Sequence, residues 1–97
     1  MSDLRFEWDE RKNASNRRKH GVSFEEAETV FYDDRAIFRD DPDEEKEDRF
    51  ILLGLSAGLR TLVVCHCFRE DDSVIRIISA RKAHREERRD YDTRWRT

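Results

Sequence analysis

The chain has 97 residues, 44% of them charged and 36% hydrophobic, with a formal net charge of -3. That length holds one domain, residues 1–97, with a thin core, and leaves no room for a second lobe closed over a buried cofactor. The apolar residues lie in runs, which excludes a disordered chain, and no run approaches the ~20 residues that cross a bilayer.

The first run, LRFEW, alternates and predicts a short strand with Leu4, Phe6 and Trp8 on one side. The surrounding MSDLRFEWDE lacks the basic-then-apolar layout of a signal peptide, so the expected compartment is the cytoplasm. Asp9 is placed to cap a helix over ERKNASNRRKH, which stops at Gly21, the residue type that most easily turns left-handed. Ser23 opens a second helix: Glu26 stands at the capping-box spacing, and Phe24, Ala27, Val30 and Phe31 fall on one stripe. RAIFRD reads as a strand, followed by an acidic loop, DDPDEEKED, that contains Pro42. Three stronger strands come next, RFILLGLS, RTLVVCHCF and VIRIISA, and their joints AGL and REDDS are short enough for an antiparallel meander. From Lys82 to about Trp95 a charged segment with a sparse stripe of Ala83, Tyr91 and Trp95 reads as a terminal helix. The expected fold is α+β, in the order β-α-α-β-β-β-β-α, with helices against one face of an antiparallel sheet.

Charge is segregated along this layout. RKNASNRRKH and ARKAHREERRDYDTRWR are basic, DDPDEEKED is acidic, and a chain acidic in sum therefore still presents cationic stretches to a polyanion. Arginines occupy strand positions: Arg49, Arg69 and Arg81 at strand ends and Arg76 inside one. Such a group can hold a phosphate and stabilise the charge that develops when it is attacked, or it can pair with the acidic loop. The meander brings Arg69 and Arg76 to one hairpin. Lys19 and His20 close the first helix, where cations suit the carbonyl end of the macrodipole, or else project toward a ligand. His66 shares a strand face with Leu62, Val64 and Phe68, which fits a core histidine, although an imidazole also serves as a general acid or base. Cys65 and Cys67 are read as packing residues on the opposite face; their Cα separation, about 6.6 Å, suits no local disulfide. Alternation turns His66 away from both sulfurs, no Gly-rich phosphate loop or zinc spacing occurs, and neither a metal nor another cofactor is expected. Binding to duplex DNA is disfavoured by the acidic stretch and by the lack of a helix-turn-helix pattern.

The stretches FEWDERKNASNRRKHGVSFEEAETVF, DRFILLGLS, LVVCHCFRE and VIRIISARKAHREERRDY resemble the BrnT family of type II toxins over nearly the whole chain. The resemblance implies a RelE-like ribonuclease fold, an endoribonuclease that arrests translation, and silencing by a BrnA-type antitoxin, as a homodimer or as a heterotetramer with it. Carried over by motif, Lys19 and His20 in KHG, Arg49 in DRF, and Arg76 and Arg81 in RIISAR form the functional set. Asp48 stands where many relatives carry glutamate. Combined with the reading of the residues, this gives Arg49, His66, Arg76 and Arg81 as catalytic, with His66 or His20 the proton carrier, and Lys19, His20 and Arg69 as contacts to RNA. The competing reading is a non-catalytic module of the same fold that binds protein or RNA.

Overall fold

The computed structural model of the chain describes residues 4–41 and 48–94. Its elements are β1 (Arg5–Glu7), α1 (Glu10–His20), α2 (Phe24–Thr29), a 3-10 turn (Val30–Tyr32), β2 (Ile37–Asp40), β3 (Phe50–Leu55), β4 (Thr61–Arg69), β5 (Val74–Lys82) and α3 (Arg85–Arg94). This is the expected order. Pro42 and Trp95, assigned above to the acidic loop and the terminal stripe, lie outside the described residues.

Local chemistry explains both helix starts. Asp9 accepts a hydrogen bond from the Arg11 amide at 2.8 Å, and Gly21, at φ 71°, donates its own amide to the Arg17 carbonyl. Ser23 accepts from the Glu26 amide at 3.0 Å. The reciprocal half of that capping box is absent, because the Glu26 carboxylate instead accepts from Ser56 and from the Arg60 guanidinium, tying α2 to the β3–β4 turn.

The sheet order is β1-β5-β4-β3-β2. Strands β2 to β5 form the antiparallel meander, but β1 lies parallel to β5, with Arg5 beside Val74 and Glu7 beside Arg76, so the sheet is mixed rather than wholly antiparallel. The helices also divide between its faces. Val22, Phe24, Ala27 and Val30 pack with Leu52, Leu62, Val64 and Ile77 on one side, whereas Ile37, Leu53 and Val63 pack with Ala83 and Tyr91 on the other. Period-2 alternation shows which residues share a face but not which helix covers it. The last strand also outruns its expected end, since Arg81 and Lys82 still pair with Val63 and Leu62, and α3 starts correspondingly later. Gly54 permits the close approach of the 3-10 turn: a Cβ there would lie 2.9 Å from Val30 Cγ1.

Two further details position the site. In β5 the register passes from Ile77 opposite His66 to Ser79 opposite Cys65, which leaves Ile78 as a bulge. Helix α1 buries two asparagines and no apolar side chain. Asn16 donates to the carbonyls of Val22 (2.9 Å) and Ala80 (2.7 Å) and accepts from the Ala80 amide (3.2 Å), so it completes the edge of β5 beyond the point where β1 ends. None of the described helices is long and apolar enough to cross a membrane.

Candidate active site

On the α3 side of the sheet, Ile51, Val63, Cys65, Ser79 and Arg81 form the floor of a cavity of about 290 Å³. Its rim is completed by His20, at the end of α1, and by Asp41 and Arg49, from the two ends of the acidic connection. Each arrives for a local reason. Asn16 docks α1 on β5 and so delivers His20; the Asp41 amide donates to the Arg49 carbonyl at 3.0 Å, which extends the β2–β3 pairing by one step and fixes both residues. The bulge at Ile78 sets the side of the sheet on which Arg81 emerges.

Arg81 forms a fork with Glu87 of α3, donating from Nη1 and Nη2 to the two carboxylate oxygens at 2.8 and 2.9 Å. Nη1 also donates to the Lys82 carbonyl at 3.2 Å. This pairing pulls the Glu87 carboxyl down to about 2, aided by the His84 amide, and raises Arg81 further above its usual range. Glu87 therefore holds the guanidinium in a fixed plane beside the cavity. Cys65 differs in character. Burial, and then the neighbouring Asp41, push its thiol up to about 11, and Sγ lies 3.6 Å from Asp41 Oδ2 as a donor. It is a protonated wall residue, in keeping with a packing role.

Of the residues singled out from sequence, the structure brings together His20, Arg49 and Arg81. Lys19 is exposed on the last turn of α1. Arg76 shares the α3 side with Arg81 but stands at the β1 end of the strand, where Nη1 donates to Glu7 Oε2 at 2.8 Å. Arg69 is exposed at the same hairpin as Arg76, as the meander implied. His66 is on the other face and wholly buried, with Nδ1 3.3 Å from the Val64 carbonyl and Nε2 without a hydrogen-bond partner among the described residues. Phe31, Phe38, Phe50 and Phe68 surround its ring, and burial pushes its pKa down. It is the core histidine, separated from the cavity by the sheet. Sequence reasoning missed Asp41, Ser79 and Glu87. Pairing β2 with β3 as a hairpin would have set Asp41 opposite Arg49, but the bulge left no sequence signal for Ser79.

A larger cavity, of about 560 Å³, lies on the α1–α2 side and is lined by Phe38, Phe50, Phe68, Asp48 and Asp72. With two acids and no cation on its wall among the described residues, it suits an anion poorly. The smaller cavity sets two guanidiniums and an imidazole against the single carboxylate of Asp41 among the described residues, and can bind a phosphodiester with a proton-transfer group beside it.

A family model described as the ribonuclease toxin BrnT of type II toxin-antitoxin systems matches residues 8–87. Among solved structures, the chain is similar to the crystal structure of the Brucella abortus ribonuclease toxin BrnT, with a TM-score of 0.64 and 26% identity over 86% of this chain and 100% of that one. No curated protein sequence matches it.

Proposed function

The chain belongs to the BrnT family of ribonuclease toxins of type II toxin-antitoxin systems, and from that premise we propose that RNA is held and cut in the cavity among His20, Arg49 and Arg81. The observation that carries this is the convergence of those three side chains, from segments far apart in sequence, on one polar hollow. In the proposed reaction the 2′-oxygen bonds to the adjacent phosphorus as the bond to the 5′-oxygen breaks. The 2′-hydroxyl gives up its proton as it attacks and the departing 5′-oxygen takes one up; Arg81 and Arg49 neutralise the charge that builds on the non-bridging oxygens, and His20, the one imidazole on the cavity wall among the described residues, is the proton carrier. Glu87 is a positioning residue that acts through Arg81. It and the Lys82 carbonyl take three of the five guanidinium donors and leave two for phosphate. Two guanidiniums supply the electrostatic stabilisation that a metal ion gives in other nucleases, which supports a metal-independent route. The neutralising partner is proposed to be a BrnA-type antitoxin, and the working assembly a heterotetramer with it.

The test is cleavage of purified RNA. Arg81→Lys keeps the charge but not the planar fork, and a loss of about 10²–10³-fold in kcat with an unchanged circular dichroism spectrum is expected. Wild-type cleavage should survive EDTA. A folded Arg81→Lys enzyme at the wild-type rate would remove the cavity from consideration; activity lost to EDTA and restored by a divalent ion would overturn the metal-free route.

A further inference from the structure

The larger cavity has no part in that chemistry, yet its construction is unusual for an idle surface. Phe38 is 53% exposed and sits on β2, which is an edge strand of the sheet. Its ring stacks on Phe50 with centroids 5.1 Å apart and planes 27° apart, and Phe50 in turn meets Phe68 at 5.4 Å. The rings rest on buried His66, which Phe31 packs from beneath at 4.8 Å, so the apolar floor is continuous with the core. Among the described residues the charges that line the hollow are of one sign, Asp48 and Asp72; Asp71 stands in the same turn as Asp72, and Glu70 there pairs with Arg5 at 3.9 Å.

We infer that this aromatic cleft docks a cationic amphipathic segment of the antitoxin, with an apolar or aromatic side chain seated among the three phenylalanines and lysine or arginine residues on the acidic rim. The inference rests on the toxin-antitoxin reading above for the existence of that partner. Charge decides among occupants. A nucleic acid has phosphates to place beside Asp48 and Asp72 and is repelled, and a second copy would bring the same acids against its own. A basic segment gains on both counts, since its cations meet the carboxylates and also the faces of the exposed rings. The cleft and the cationic cavity lie on opposite faces of the sheet, so the partner grips the toxin by a surface that RNA does not use.

The probe is the polypeptide encoded by the adjoining reading frame, measured for binding by calorimetry and for rescue by co-expression. Phe38→Asp should fold, cut RNA at the wild-type rate, lose affinity for that polypeptide by about 30-fold or more, and escape rescue. Should Phe38→Asp fail to fold, Asp48→Asn with Asp72→Asn decides the matter, since asparagine tolerates the left-handed backbone at residue 72 (φ 68°); the pair should weaken binding and flatten its salt dependence. Wild-type affinity in both variants overturns the inference. So does a loss of RNA cleavage in folded Phe38→Asp, which would make the cleft an RNA surface, or the conversion of a dimer of the toxin alone to a monomer. A wild-type chain that arrests no growth would count against the toxin reading, while the calorimetry would still judge the cleft.

Discussion

Arg76 and Arg81 stand five positions apart, an odd step that alternation would send to opposite faces, yet both emerge on the α3 side because Ile78 drops out of the ladder between them. Their partners then distinguish them. Arg76 meets Glu7 on the neighbouring strand, with about a third of each side chain exposed, a pair of the kind that contributes about 0–1 kcal/mol. Arg76→Lys is expected to cut RNA within a few-fold of wild type and to change the melting temperature slightly; a loss like that of Arg81→Lys would bring Arg76 into the site. For Glu87 the sign of the pH dependence follows from its depressed pKa. The folded carboxyl titrates near 2 against an ordinary 4.5, so its stabilisation is present in full above 4.5 and is lost as pH falls toward 2. Acid unfolding curves of wild type and Glu87→Gln should therefore differ above that window and converge through it. At this scale the caps at Asp9, Ser23 and Gly21 were legible, because each depends on neighbours within four residues. The arginine geometry was not, because a single bulge reverses face parity and nothing in IRIISAR announces it.

Helix α1 docks through amides instead of an apolar stripe, and this makes it sensitive to one substitution. Asn16→Ala strips partners from both the N–H and the C=O of Ala80 and from the Val22 carbonyl, all in a buried setting, and should cost about 3 kcal/mol. Denaturant titration checks this, and cleavage should fall with it as His20 loses its anchor. The β4–β5 turn holds strain of another kind, since Glu70, Asp71 and Asp72 are all left-handed, at φ 52°, 56° and 68°. Asp71→Gly should relieve part of that and raise stability by about 0.5–1 kcal/mol, read as a higher melting temperature. Element types could be read from periodicity and turn chemistry, as with the meander and its two short joints. Placement could not. The stripe of Ala83 and Tyr91 predicts a helix that packs, but its position on the far face depends on Tyr91 meeting Leu53, Val63 and the Asp33 carboxylate, all distant in sequence.

Across the whole molecule, the net charge of -3 conceals two unlike surfaces, a hollow walled by His20, Arg49 and Arg81 and a cleft lined by Asp48 and Asp72. Segregation along the sequence signalled that such faces exist, though not that the sheet would stand between them. The sheet order has a further consequence, one of timing. Strand β1 pairs only with β5, and the cavity draws on residues from His20 to Arg81. A chain emerging from the ribosome can form α1, α2 and the β2–β3–β4 hairpins early, but these earlier elements have no β5 to close on until it has been made. Chains stopped after Glu70 are expected to be protease-sensitive and harmless, and only those that include β5 and α3 to resist digestion. Synthesis thus contains its own delay. With the site proposed above, the nascent toxin stays inert until β5 has been made, an interval in which an antitoxin can be made before the ribonuclease first exists.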